Sequence, residues 1–118
     1  PQRETFGAPL ASRQSIQWML VDNDIDIKQS LWITLEAASK ASQGLGFRKE
    51  AAMAKLVATE AGGRVVDRCM QMFGGLGVAK DLPFERWFSE MRIRRIGEGP
   101  SEVQRHVIAR ELLGSSLR

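Results

Sequence analysis

Apolar residues recur through the first third of the chain at Ile16, Leu20, Ile27, Leu31 and Leu35, flanked by Trp18, Val21, Ile25 and Trp32. This spacing has the period of a helix and not the alternation of a strand. It predicts a helix over about residues 14–42, with Ser12 placed to cap it. Asp22, Asn23, Asp24 and Asp26 interrupt the stripe without ending it. Ahead of it, residues 1–11 read as a loop, with Gly7 and Pro9 as breakers. Behind it, Gln43-Gly44-Leu45-Gly46 offers a left-handed stop, and so short a connection predicts an antiparallel return.

The next helix, about residues 47–72, is rich in Ala and carries Gly62-Gly63, a pair expected to serve close packing or a local bend. Phe73-Gly74-Gly75-Leu76-Gly77 stops it. Pro83 then suits the first turn of a short helix carrying Phe84, Trp87, Phe88, Met91 and Ile93. Gly97-Glu98-Gly99-Pro100 interrupts the pattern before a last helix from about Ser101, whose inward face is expected at Val103, Val107, Ile108, Ala109 and Leu112. No strand pattern, repeat or low-complexity tract appears. The expected architecture is an all-α, up-and-down helical bundle over residues 1–118, one domain. Because the chain opens on Pro1-Gln2-Arg3 without an initiating Met or a targeting pattern, it reads as a fragment, with a further long helix expected upstream.

Composition narrows the function classes. At 118 residues, 43% hydrophobic and 26% charged, the chain resembles neither a disordered nor a membrane-spanning segment. Its net charge of +3 comes from seventeen basic residues scattered among fourteen acidic ones, which disfavours a nucleic-acid patch. One Cys and one His are too few for a zinc site, and Cys69 reads as a small buried hydrophobe in a reducing compartment.

Two glycine-rich breaks adjoin helix ends. Gln71-Met72-Phe73-Gly74-Gly75-Leu76-Gly77 would let a ligand approach bare backbone, but it lacks the strand and the Lys-Ser/Thr of a phosphate loop, so taken alone it reads first as a plain helix stop. In Ile96-Gly97-Glu98-Gly99-Pro100-Ser101 a carboxylate stands between two glycines before a helix start. It is either a surface group favouring the helix dipole or a general base presented by a tight loop. Spacing does not choose between them.

The ordered set Arg3-Glu4-Thr5-Phe6-Gly7-Ala8-Pro9-Leu10, Gln14, Gln71 to Gly77, Pro83-Phe84-Glu85-Arg86, Arg92-Ile93, Glu98-Gly99 and Val103 to Arg110 resembles the C-terminal third of acyl-CoA dehydrogenases. The resemblance implies a helical domain that packs against an N-terminal helical and a middle β domain, in a homotetramer or homodimer with one FAD per subunit. It implies α,β-dehydrogenation of an acyl-CoA thioester, with Glu98 as the base that takes the α-proton while the β-hydrogen passes to the flavin. It sets the Gly99 backbone against the thioester. It assigns FAD contacts, mostly on a neighbouring subunit's cofactor, to Arg3, Thr5, Gln14, Gln71, Gly74, Gly75, Ser101 and Glu102. An electron-transfer flavoprotein is the implied acceptor. The implied compartment is a bacterial cytoplasm, a mitochondrial matrix or a peroxisome.

The chain departs from the family pattern at four places. Gly97 and Pro100 stand where Tyr and Thr are common, Arg13 where His is frequent, and Leu82 where Tyr is frequent. The loss of an aromatic wall implies either a wider acyl pocket or a flavin contact made by backbone alone. Trp18, Trp32 and Trp87 read as core or interface packing, His106 as a surface or packing residue, and Arg105 and Arg110 as salt-bridge or interface residues. Rival readings are an acyl-CoA oxidase on the same fold, a non-catalytic helical interaction module, and a nucleic-acid-binding relative.

Overall fold

The computed structural model describes residues 3–114. Long helices α1 (Gln14–Ser42) and α2 (Arg48–Phe73) are followed by a single-turn α3 (Gly75–Val78), then α4 (Phe84–Ile96) and α5 (Ser101–Leu113). The all-α expectation holds with one correction. Residues read as a loop form a two-residue-per-strand antiparallel hairpin, β1 (Glu4–Thr5) and β2 (Ala8–Pro9), with Thr5 opposite Ala8. Its turn places Phe6 at φ 53° and Gly7 at φ 73°, the left-handed pair that matches strand twist in a two-residue hairpin. So short a pairing leaves no alternating pattern to read. The Arg13 guanidinium holds the hairpin to the start of α1 by donating to the carbonyls of Thr5 at 2.8 Å and Phe6 at 3.4 Å. Ser12 does not cap α1: it lies in a 3-10 turn, Leu10–Ser12, and its hydroxyl donates back to Pro9, leaving Arg13 at the cap.

α2 is the axis. α1 lies along one side of it, and α4 and α5 lie end to end along another, both antiparallel to α2, in an assembly 61 × 26 × 23 Å. The residue pairs fix that order: Met91 over Gly62, Arg95 on Glu60, Lys55 on the Gly97–Gly99 loop, and Arg48 beside Glu111. A Cβ at Gly62 would lie 2.6 Å from the Met91 sulfur, so the glycine pair serves close packing of α4 on α2. Pro83 occupies the cap of α4 and not its first turn, and its carbonyl accepts from Trp87.

The face that α1 turns to α2 differs from the expected stripe. The buried or half-buried positions are Ile16, Met19, Asn23, Asp26, Ser30, Ile33, Ala37 and Lys40, spaced three and four apart. Leu20, Ile27, Leu31 and Leu35 are about half exposed, and Trp18 and Trp32 more so, so none of them forms the core of this chain. At the centre of the α1–α2 seam, Asp26 accepts from Arg64 at 2.6 Å and Arg68 at 2.7 Å, and Arg68 also reaches Asn23. Hydrogen bonding from Arg64 first, and then from Arg68, holds the Asp26 carboxyl below its usual range against the opposing pull of burial. In α5, Val107, Ile108 and Ala109 turn inward as expected, whereas Val103 and Leu112 are exposed. Among the described residues the buried apolar set is Ala37, Ala52, Ala54, Ala61 and Val66, and no large side chain is fully buried.

Candidate functional site

Glu98 stands at the junction where α4 ends and α5 begins. Its φ of 54° is left-handed, a conformation that disfavours residues with a Cβ and persists only where the surroundings enforce it. Gly99 follows at φ 90°, and a side chain there would collide with the Gln104 amide at 2.6 Å. Gly97, by contrast, has an ordinary φ of −69°. The enforcing group comes from α2. The Lys55 ammonium donates to three successive carbonyls, those of Gly97 at 2.5 Å, Glu98 at 2.7 Å and Gly99 at 2.6 Å. Gln104 donates a fourth bond, to Gly99, at 3.0 Å.

The backbone is thus tied down while the Glu98 carboxylate is exposed and, among the described residues, has no salt-bridge partner. It lies on the rim of an open hollow of about 570 Å³, lined also by Lys55, Thr59, Glu90, Ile93, Arg94 and Gly97. The first two residues of α5, which follow this loop, have separate fates. Ser101 is buried, and its hydroxyl donates to Glu60 at 2.7 Å, whose other oxygen holds Arg95 at 3.0 Å. The Ser101 bond is the leading reason that the Glu60 carboxyl sits below its usual range. Glu102 is exposed in the first turn of α5.

The other glycine break lies sixteen residues further along α2 from Lys55 to Gln71, about 24 Å at the helical rise. Here residues seventy positions apart meet. The Arg3 guanidinium donates to the Phe73 carbonyl and lies over Gly74, where an added Cβ would approach its Nη2 to 3.2 Å. Gly74 adopts φ 60° and ψ −139°, ending α2. Gln71 and Gly75 are exposed, and a Cβ on Gly75 would meet nothing within 4 Å. Thr5 is half-buried in the hairpin, and Gln14 is exposed at the first position of α1. The structure therefore gathers Arg3, Gln71, Gly74 and Gly75 at one end of α2, and Glu98, Gly99, Ser101 and Glu102 toward the other.

Lys55 escaped the sequence reading. The available signal was a single lysine inside Ala51-Ala52-Met53-Ala54-Lys55-Leu56, a stretch whose small residues mark a buried face. Buried Asp26 was likewise read only as an interruption.

With this geometry in hand, comparison with known proteins is direct. Residues 1–113 match the family described as acyl-CoA dehydrogenase, C-terminal domain. The chain belongs to the acyl-CoA dehydrogenase family. It is 43% identical over 113 residues to the mitochondrial short-chain specific acyl-CoA dehydrogenase of Bos taurus, covering 96% of this chain and 27% of that protein. It is 38% identical over 112 residues to the cyclohexane-1-carbonyl-CoA dehydrogenase of Geobacter metallireducens, covering 95% and 30%. The butyryl-CoA dehydrogenase structure from Megasphaera elsdenii superposes with a TM-score of 0.92 at 38% identity, covering 95% of this chain and 29% of that one. The chain thus spans less than a third of the length of these relatives.

Proposed function

We propose that this chain is the part of a flavin-dependent acyl-CoA dehydrogenase that carries the catalytic base and one half of an FAD site shared between subunits. The observation that carries the reading is the presentation of Glu98: an exposed carboxylate on a left-handed backbone between two glycines, with no ion pair among the described residues, on the rim of an open hollow. An α-proton beside a thioester is weakly acidic, so its base must be close, oriented and free to accept. Glu98 accepts that proton. The carbonyl of Gly99 is taken by Lys55 and Gln104, which leaves its N–H as the group available to the thioester.

FAD, when bound, supplies the two-electron acceptor for the β-hydrogen. The donor set at the far end of α2 suits its phosphates and adenosine. Arg3 offers a guanidinium, Thr5 a hydroxyl, Gln14 and Gln71 amides, and Gly74 and Gly75 bare backbone that a Cβ would obstruct. A separation of about 24 Å from Lys55 supports assigning the two ends to different flavins. The Ser101 hydroxyl is spent on Glu60, so its part in binding falls to the backbone, with Glu102 beside it.

The exposed apolar face of α1 suits burial against further domains or subunits of a homotetramer or homodimer. An electron-transfer flavoprotein is the proposed acceptor. The rival oxidase reading would require oxygen access to the flavin, and nothing in this chain favours it.

The acyl pocket is proposed to be wide. Gly97 stands where the family commonly has Tyr, and its backbone does not require glycine. The relative named for a cyclohexane-carbonyl substrate supports a bulky or ring-bearing acyl group.

The deciding experiment uses the full-length holoenzyme. Glu98→Gln keeps size and removes the base. Rapid mixing with acyl-CoA should show flavin reduction slowed about a hundredfold or more, with FAD content unchanged. Reduction at the unaltered rate would place the base elsewhere.

A further inference from the structure

We propose that Lys55 is the positioning residue of the catalytic base: its ammonium fixes the three peptide groups of Gly97, Glu98 and Gly99 so that the Glu98 carboxylate is delivered to the substrate in one orientation. This inference rests on Glu98 being the base.

The geometry is unusual in its economy. Lysine has three donors on one compact, rotatable centre, and here each is directed to a different carbonyl of one tripeptide, at 2.5, 2.7 and 2.6 Å. A guanidinium, with donors spread in a rigid plane, cannot serve three oxygens that converge on a point. The residue held at the middle of the clamp is the one with the disfavoured backbone, Glu98 at φ 54°. A non-glycine residue there is held away from its relaxed conformation and returns to it unless tied down.

Lys55 sits in a position that small residues define. Its helical neighbours Ala51, Ala52 and Ala54 are buried or half-buried, so the ammonium issues from the packed side of a long helix and not from a mobile surface. Among the described residues it has no carboxylate partner within salt-bridge distance, Glu98 included. An ordinary structural lysine would be paired with an acid or left to solvent. Here its donors are spent on the main chain of the base, and the acid beside it is left free for chemistry.

The test uses full-length holoenzyme and separates positioning from folding. In Lys55→Met the rate constant for flavin reduction should fall about thirtyfold or more, as expected when a reacting group is displaced by about an ångström. Acyl-CoA affinity and FAD content should stay within about threefold. In Lys55→Arg, which keeps the charge but not the three-point geometry, a fall of about tenfold is expected. Lys55→Arg carries the test alone if Lys55→Met does not assemble.

The decisive readout is coupling. In a Glu98→Asp background, where the carboxylate is already drawn back, the same Lys55 substitutions should lose only about two- to threefold. An equal loss in both backgrounds, or an unaltered rate in Lys55→Arg, overturns the assignment of Lys55. Glu98→Gln distinguishes the two levels of the argument. If it reduces flavin at the unaltered rate, the base assignment fails. If it is deeply impaired and the Lys55 cycle is additive, the base stands and the positioning role falls.

Discussion

The two glycine breaks that meet α2, one along its first half and one at its C-terminal end, are both tied by a basic side chain, and they are tied differently. At Gly97–Gly99 the Lys55 ammonium takes three carbonyls from within the packed side of α2. At Gly74 the Arg3 guanidinium takes one carbonyl, that of Phe73, from an exposed hairpin. The first arrangement uses up its donors and fixes a backbone that carries an exposed carboxylate, the proposed base. Among the described residues, the second leaves most of a guanidinium unspent beside bare glycine backbone. Rigidity with a free acid suits proton abstraction, and spare donors with open backbone suit a phosphate-bearing ligand. On the proposed function, the same sequence device, a glycine-rich helix stop, serves two tasks according to what reaches it from elsewhere in the chain.

The largest expected effect concerns the seam that holds α1 to the middle of α2, between the two ends. Asp26→Asn keeps the volume and leaves Arg64 and Arg68 without their shared carboxylate. Breaking such a pair while retaining its cations costs about 3–5 kcal/mol when fully buried, and about 2–3 here because Arg64 is half exposed. Denaturation of the full-length enzyme should show that loss near neutral pH. The Asp26 carboxyl is held below its usual range, so its contribution is present above the ordinary carboxylate value and lost as pH falls through the lower, folded value. The gap between the two proteins should therefore close on acidification below about pH 4. A gap unchanged at low pH would show that packing, not charge, sets the seam.

Next in size is Arg3→Ala, which removes the spare donors at the Gly74 end alone. A hydrogen bond to a charged group contributes about 1.5–3 kcal/mol, so FAD retention should weaken about tenfold or more, and assembly with it if the flavin belongs to a neighbouring subunit. The reduction rate per bound flavin should be preserved, the reverse of the Glu98→Gln result. Lost chemistry with full FAD content would erase the proposed division between the ends of α2.

The sequence made the helices legible and left their facing obscure. Local start and stop signals gave the ends of α1, α2 and α4 and the start of α5 to within a residue or two, while the end of α5 was left open. The inward face of α1 was not legible from apolar spacing, since its buried centre is Asn23 and Asp26 while Leu31 and Trp32 lie outside. A helix with apolar residues on more than one side gives periodicity without saying which side meets α2, and an internal ion cluster inverts the usual rule. The flanking glycines drew notice to Glu98 without choosing its role, which came from the ordered resemblance to the family. Lys55 was hidden, since its partners are main-chain carbonyls forty-two to forty-four positions away and carry no side-chain signature.

A smaller effect tests how tightly the Gly74 break is built. A Cβ at Gly77 would lie 2.5 Å from the Met70 carbonyl oxygen, and main chain cannot step aside as a side chain can. Gly77→Ala should therefore destabilise by about 1–3 kcal/mol, the range for overpacking, and loosen FAD without altering the Glu98 end. Thermal denaturation with and without added FAD measures both. An unaltered melting temperature would mean that the α2–α3 junction yields more readily than its geometry implies.

The smallest effect belongs to Gly97, the glycine that the backbone of the Glu98 loop does not need. Its φ of −69° is open to any residue, and a Cβ there would meet only the Ile93 carbonyl, at 3.4 Å. Gly97→Ala should change stability by less than about 0.5 kcal/mol, as for an unremarkable surface substitution. If glycine is kept there for room and not for backbone freedom, the consequence appears in substrate choice. Gly97→Tyr in the full-length enzyme should leave folding and FAD content near normal. It should lower kcat/KM for a branched or ring-bearing acyl-CoA relative to a straight short one by about tenfold, since one or two methylenes of lost fit carry about 1–3 kcal/mol. Steady-state competition between the two substrates reads this ratio directly. An unchanged ratio would remove Gly97 from the acyl wall and leave the missing aromatic ring as a difference of flavin contact alone.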